Sequence, residues 1–183
     1  FYPETEQSEK LDIRRIGLGT MGLADALIKL KIRYGSQECL DFIDNIYSSI
    51  RNAAYQKSVE LAQIDGSFGK FEDTYLVRPF IKSLPDYAQR GIDDYGIRNC
   101  YLLTQAPTGT TSLLAGVSSG IEPVFSFTTR RRDRTGEWIL THPLLEQWLD
   151  QNPKHLAVPD YFVAAKDVTP EEHIQVLARV QKY

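Results

Sequence analysis

The sequence predicts an α/β fold, and three observations lead to that expectation. Of the 183 residues, 42% are hydrophobic and 25% are charged, as in a soluble domain that can form a packed core. Short apolar runs at residues 13–20 and 98–105 have the length of buried strands. A stretch rich in helix-forming residues follows the first run, and residues 37–65 have the period of an amphipathic helix. Such alternation of strands and helices is typical of the α/β class.

Composition excludes several classes of protein. The formal net charge is −3, which gives no general basic field for nucleic acid. No apolar run reaches the roughly 18 residues that a membrane span needs. The two cysteines, Cys39 and Cys100, form no CxxC pair and have no histidine at metal-ligand spacing, so a disulfide framework or a zinc site is not expected. Free thiols of this kind fit a reducing compartment, and we expect a cytoplasmic protein.

The first half of the chain is predicted to contain one strand and two helices. Residues 13–20 are predicted as a strand, and residues 23–32 are rich in helix-forming side chains. Between residues 37 and 65 the apolar positions recur three and four apart, which predicts one long helix. Ser36 is placed as its N-cap and Gly66 as its terminator.

The second half is predicted to contain a strand, a hairpin and two helices. After a Gly- and Pro-rich loop at residues 67–85 with a short helix, residues 98–105 are predicted as a buried strand. Further predicted elements are an extended segment at 124–129, a turn at 133–136, a returning strand at 137–141 and a helix at 143–150. Thr169, Pro170 and Glu172 form a capping-box sequence that starts a helix running to the chain end.

Three glycines, Gly17, Gly19 and Gly22, match the GxGxxG pattern of dinucleotide-binding turns. The surrounding string resembles the fingerprint of β-hydroxyacid dehydrogenases, so an NAD-dependent hydroxyacid dehydrogenase is one alternative function. Arg14 and Arg15 precede the glycines where that fold needs a buried strand, and the expected second strand is replaced by the long helix. We favour close packing between a helix and a strand as the reason for these glycines.

A stretch of small and hydroxyl residues follows the second predicted strand, and we call residues 106–112 the threonine loop. Its members are Ala106, Pro107, Thr108, Gly109, Thr110, Thr111 and Ser112. A loop of this composition that opens a helix presents backbone amides and hydroxyls to an anion. The lysine of a Walker loop is missing. The loop therefore predicts either a phosphate site or a Thr-rich cap, and a non-catalytic nucleotide-binding module is a second alternative.

Two blocks of sequence resemble a known enzyme family. The block QAPTGTTSLLAGVSSGIEPVF, preceded by GIRNCYLLT, resembles the C-terminal half of the catalytic barrel of ribonucleotide reductases, most closely the adenosylcobalamin-dependent class II. The block RRIGLGTMGLADALIKLKIRYGS is similar to the segment that follows the radical-bearing finger loop in that family. The order and spacing of the blocks agree, and the resemblance extends over most of the chain.

This resemblance implies a fold, a site and a set of partners. The fold is a partial ten-stranded α/β barrel, with residues 1–183 a single fragment of the catalytic barrel domain. The threonine loop corresponds to the loop that holds the substrate's phosphates, while the segment 120–123 is interpreted as structural. Gly109 stands where iron-dependent members often have an acidic residue, which points to adenosylcobalamin as cofactor. The implied partners are a ribonucleotide substrate, a thioredoxin-type thiol reductant and further copies in a homo-oligomer.

The catalytic cysteines of that family are not found in the chain. The family makes a thiyl radical on a finger-loop cysteine between an asparagine and a glutamate, and two further cysteines supply reducing equivalents. Cys39 and Cys100 match none of these positions. We therefore expect an inactive fragment of a radical oxidoreductase for deoxyribonucleotide synthesis, with no catalytic residue and no metal ligand. Di- and triphosphate substrates both remain open. His142, His155 and His173 are expected at the surface.

Overall fold

The computed structural model describes residues 13–133 and 136–183. Its α-helices are α1 Leu23–Leu30, α2 Gln37–Asp65, α3 Pro79–Lys82, α4 Asp86–Tyr95, α5 Gly109–Ala115, α6 Pro143–Gln151 and α7 Pro170–Gln181. Its strands are β1 Thr128–Asp133 and β2 Gly136–Thr141. Short 3₁₀ turns occupy Asp73–Tyr75 and Ala165–Asp167. No helix within these described ranges combines the length and apolarity needed to cross a membrane.

The long helix α2 confirms its sequence prediction at both ends. The N–H of Cys39 donates to Ser36 Oγ at 3.2 Å, so Ser36 caps the first turn. Gly66 has a φ of 78°, the left-handed conformation in which a helix commonly ends. By contact, the described residues divide into two compact units, residues 13–19 with 46–105 and residues 20–45 with 106–133 and 136–183, and α2 contributes residues to both.

The first unit has a core of aromatic and aliphatic side chains. Its buried members are Tyr55, Val59, Phe68, Tyr75, Ile81, Leu84, Ala88, Ile92, Ile97 and Leu102. Helix α4 lies against α2 through Gly91, where an added Cβ would meet Val59 Cγ1 at 2.9 Å. The absence of a side chain at Gly91 therefore permits close helix packing.

The prediction of strands at residues 13–20 and 98–105 is wrong, because neither segment forms a regular strand. The segments run parallel, and the N–H of Leu18 donates to the Leu102 carbonyl at 2.8 Å while the N–H of Thr104 donates to the Leu18 carbonyl at 3.0 Å. Only Leu18 and Leu103 form a bridge. Two parallel segments without further neighbours make a weak sheet.

The regular sheet of the described residues is therefore the β1–β2 hairpin, whose strands pair antiparallel with Thr128 opposite Thr141. The predicted hairpin forms, but its first strand occupies Thr128–Asp133 instead of residues 124–129. Residues 134 and 135 of its turn lie outside the described residues. The α/β expectation holds only in the coarse sense of mixed helices and strands. The partial ten-stranded barrel is not formed as a closed sheet in the described part of the chain.

The second unit has buried side chains on α1, on the start of α2 and on α7. Leu27 on α1, Ile43 on α2 and Val176 on α7 are almost completely buried. The capping box of α7 is present as predicted, since Thr169 Oγ1 accepts the N–H of Glu172 at 3.2 Å and the Glu172 carboxylate accepts the N–H of Thr169 at 2.9 Å. The helix predicted from residue 143 also forms, and it extends one residue beyond the predicted end.

Candidate functional site

The threonine loop leads into helix α5, which begins at Gly109. Thr108, the residue before the helix, has φ 54° and ψ 29°, a left-handed conformation that β-branched residues rarely adopt. The helix ends at Ala115, and Gly116, the residue after it, is also left-handed with φ 68° and ψ 36°. The sequence predicts that the threonine loop follows a strand and opens a helix. The helix is confirmed, whereas the segment before the loop is not a regular strand.

The first turn of α5 presents backbone donors to solvent. The amides of Gly109, Thr110 and Thr111 have no acceptor in the structure of residues 13–133 and 136–183. All three residues are exposed. The hydroxyl of Thr111 donates to the Thr108 carbonyl at 3.3 Å and retains its lone pairs. These groups, together with the positive end of the short helix, form a surface suited to an anion.

Two members of the threonine loop are instead engaged in holding its shape. Thr108 Oγ1 accepts the N–H of Gly120 at 2.8 Å. Ser112 is 1% exposed, and its hydroxyl donates to the Gly109 carbonyl at 3.1 Å and lies 3.0 Å from Ser119 Oγ. The seven predicted site residues therefore separate into an outward group around 109–111 and an inward pair. Ala106 and Pro107 are exposed before the helix.

A buried carboxylate that sequence reasoning did not identify supports the segment after α5. Asp25 on α1 is 6% exposed and accepts the N–H of Ser118 at 3.0 Å, while its own N–H donates to Ser118 Oγ at 3.3 Å. The expectation of a surface position for His142 is wrong, because its Nε2 lies 3.3 Å from Asp25 Oδ1 and its side chain is 18% exposed. An aspartate in the first turn of a helix is too common to indicate such a contact.

Two of the three glycines of the GxGxxG pattern, Gly17 and Gly22, have structural roles. A Cβ on Gly17 would lie 2.6 Å from Thr104 Cγ2, so a side chain is sterically excluded. Gly22 precedes α1 with φ 82° and donates its N–H to the Ser118 carbonyl at 2.8 Å. The chain continues from α1 into α2 where a dinucleotide fold needs its second strand. The dehydrogenase alternative is therefore wrong.

Both cysteines are free thiols. Cys39 is completely buried on α2, and this burial raises the pKa of its thiol above the usual value. A raised pKa leaves less of the reactive thiolate. Cys100 is partly buried in the extended segment before the threonine loop. Among the residues that the structure describes, no three potential metal-ligating side chains cluster.

Comparison with known proteins gives a consistent result over the whole chain. A family model described as the ribonucleotide reductase barrel domain matches residues 1–183. A vitamin B12-dependent ribonucleoside-diphosphate reductase of Thermoplasma acidophilum is 31% identical over 93% of this chain and 23% of its own length. A protein of the same name from Mycobacterium tuberculosis is 29% identical over 100% of the chain and 27% of its own length.

A relative without B12 in its name is also similar. The large chain 2 of a ribonucleoside-diphosphate reductase from Saccharomyces cerevisiae is 27% identical over 94% of this chain and 22% of its own length. The chain therefore spans about a quarter of the length of the curated relatives it matches. None of these relatives supports the alternative of a non-catalytic nucleotide-binding module.

Proposed function

This chain belongs to the barrel-domain family of ribonucleotide reductases, and we propose that it supplies the substrate-phosphate loop of such an enzyme. The parent protein converts ribonucleotides to deoxyribonucleotides by thiyl-radical chemistry, as the resemblance implies. The relatives are named ribonucleoside-diphosphate reductases, and we propose a ribonucleoside diphosphate as the substrate.

The unpartnered amides of Gly109, Thr110 and Thr111 are the observation that supports this assignment. A diphosphate carries its charge on oxygens that accept several hydrogen bonds at once, and bonds between amides and charged oxygens are shorter and stronger than neutral ones. The exposed first turn of α5 supplies such donors side by side. Binding the phosphates there would fix the position of the ribose without any reactive side chain in the loop.

The nature of residue 109 bears on the cofactor. A Cβ built at Gly109 meets nothing within 4 Å, so packing does not demand glycine and an acidic side chain would fit. Glycine instead keeps negative charge away from the open amides. We propose adenosylcobalamin as the cofactor of the parent, where it would supply the radical, on the basis of this small residue and the B12-dependent relatives. The described residues of this chain act on the substrate, and none is assigned to holding the cofactor.

The remaining parts of the proposal concern the parent protein. Its reducing equivalents would come from a thioredoxin-type thiol reductant, and it would act as a homo-oligomer in the cytoplasm. The chain alone would yield no deoxyribonucleotide, because Cys39 is buried in a helix and Cys100 matches no redox position of the family.

Removing one backbone donor from the loop of the full-length reductase tests the phosphate assignment. In Thr110→Pro the amide N–H is lost, and proline is tolerated in the first turn of a helix. We expect the KM for a ribonucleoside diphosphate to rise about tenfold, since a hydrogen bond to a charged group contributes about 1.5–3 kcal/mol.

The matched control is Thr110→Ala, which loses the same exposed side chain but keeps the amide N–H. We expect its KM to lie at least about fivefold below that of the proline variant, because only the proline variant lacks the donor. Equal KM values for the Pro and Ala variants would contradict a phosphate site at this loop.

A further inference from the structure

We propose that Asp25 is a positioning residue for the threonine loop, acting through the segment 118–120. In this account, Asp25 fixes Ser118, and the adjoining residues then hold Thr108 and Ser112 in place. The direction of the amides at 109–111 depends on that support. The inference rests on the proposed function, because it explains how the phosphate-binding surface is kept in shape.

The first link joins α1 to the segment 118–120 by a reciprocal pair of hydrogen bonds. Asp25 Oδ2 accepts the N–H of Ser118 at 3.0 Å, and Ser118 Oγ accepts the N–H of Asp25 at 3.3 Å. The carboxylate is 6% exposed, and a charge so buried is costly unless donors satisfy it. An aspartate that merely faced solvent at the start of a helix would need neither this burial nor these two hydrogen bonds.

The second link joins the segment 118–120 to the threonine loop. Ser119 Oγ lies 3.0 Å from Ser112 Oγ, and the N–H of Gly120 donates to Thr108 Oγ1 at 2.8 Å. Thr108 has a φ of 54°, and a non-glycine residue keeps such a conformation only where its surroundings impose it. If the segment 118–120 moves, Thr108 loses the contact that holds it, and the first turn of α5 reorients.

The other carboxylate oxygen of Asp25 faces His142. His142 Nε2 lies 3.3 Å from Asp25 Oδ1, while Nδ1 of the same ring accepts the N–H of Leu144 at 3.4 Å. Among the described residues, Asp25 Oδ1 has no hydrogen-bond partner. The two hydrogen bonds with Ser118 therefore carry the link between α1 and the segment 118–120.

The test uses the full-length reductase with a ribonucleoside diphosphate as substrate and the corresponding nucleoside as a competitive inhibitor. For Asp25→Ala we expect KM to rise about tenfold, because the loop amides lose their orientation and their hydrogen bonds to the charged phosphates weaken. We expect kcat to change by less than about threefold, because Asp25 does not contact the reacting atoms. The inhibition constant of the nucleoside should stay within about twofold, since it carries no phosphate to sense the loop. A purely structural role would change both ligands alike.

Two further variants complete the test. Lys29→Ala removes an exposed charge from the same helix and should leave KM unchanged. Asp25→Asn keeps an oxygen acceptor for the N–H of Ser118 and should restore KM to between about twofold and fourfold of native. If the alanine variant does not fold, this asparagine variant decides the question, because a native KM for it would overturn the proposal.

The outcomes separate this inference from the proposed function. If Thr110→Pro raises KM but Asp25→Ala does not, the loop binds phosphate and Asp25 has no positioning role. If neither changes KM, the phosphate assignment itself fails. A parallel loss of nucleoside and diphosphate binding in Asp25→Ala would also overturn the inference, because it would indicate general damage to the fold.

Discussion

Removing the Glu172 side chain should loosen the last helix by a predictable amount. The carboxylate of Glu172 accepts the N–H of Thr169 in the capping box and forms an ion pair with Arg33. Loss of a cap of this type costs about 1 kcal/mol. The ion pair is partly exposed, with side chains 28% and 22% accessible, so it adds only about 0.5–1 kcal/mol. We therefore expect Glu172→Ala to cost about 1.5–2 kcal/mol.

Amide hydrogen exchange measures this cost locally in the full-length protein. Helix α7 opens by itself when its N-terminus is not capped, so the effect should concentrate at Pro170–Gln181. A cost of about 1.5–2 kcal/mol corresponds to exchange that is about ten- to thirtyfold faster in this helix. Amides of helix α4 should keep their native protection, because they belong to the other compact unit.

The neighbouring residue provides a matched control. Glu171 lies in the same first turn and is exposed, so Glu171→Ala should alter exchange by less than about threefold through the helix dipole alone. If Glu172→Ala and Glu171→Ala accelerate exchange equally, the capping and ion-pair reasoning is refuted.

Two further predictions concern packing and pH. Gly17→Ala should destabilise the protein by about 1 kcal/mol in urea unfolding, because its methyl group would lie 2.6 Å from Thr104 Cγ2, and adding Thr104→Ser should restore stability. Burial alone raises the pKa of Asp44, but the Tyr183 hydroxyl and the Arg179 guanidinium lower it overall. A carboxyl group whose pKa is lowered by folding stabilises the fold at pH values above its unfolded pKa. The protection factors of α7 amides, corrected for intrinsic exchange, should therefore fall as pH drops from about 5 to 3. Asp44→Asn should reduce this dependence, and the part that remains is expected from Glu172, whose pKa is also lowered.

The parts of the fold that sequence predicts well are those with local signals. Helix α2 has an unbroken apolar period and a capping serine, and α7 has a complete capping box, so both appear at the predicted positions. Helix α4 was not predicted. Only Ala88 and Ile92 of it are buried, and Gly91 interrupts its sequence, so its formation depends on packing against α2.

Contacts between distant residues explain the other differences. The segments at 13–20 and 98–105 lie side by side but form a bridge only at Leu18 and Leu103. Whether such a segment becomes a regular strand depends on neighbours that a local sequence pattern cannot reveal. The open amides of the threonine loop follow from its composition, whereas the support from Asp25 does not. Asp25 and Ser118 are 93 positions apart, and neither belongs to a recognisable motif.

The most direct test of the phosphate assignment is a structure of the full-length reductase with a ribonucleoside diphosphate bound. The account predicts phosphate oxygens within about 3 Å of the backbone nitrogens of Gly109, Thr110 and Thr111, the distance of amide hydrogen bonds to charged oxygen. Phosphates bound elsewhere, with these amides still facing solvent, would contradict it.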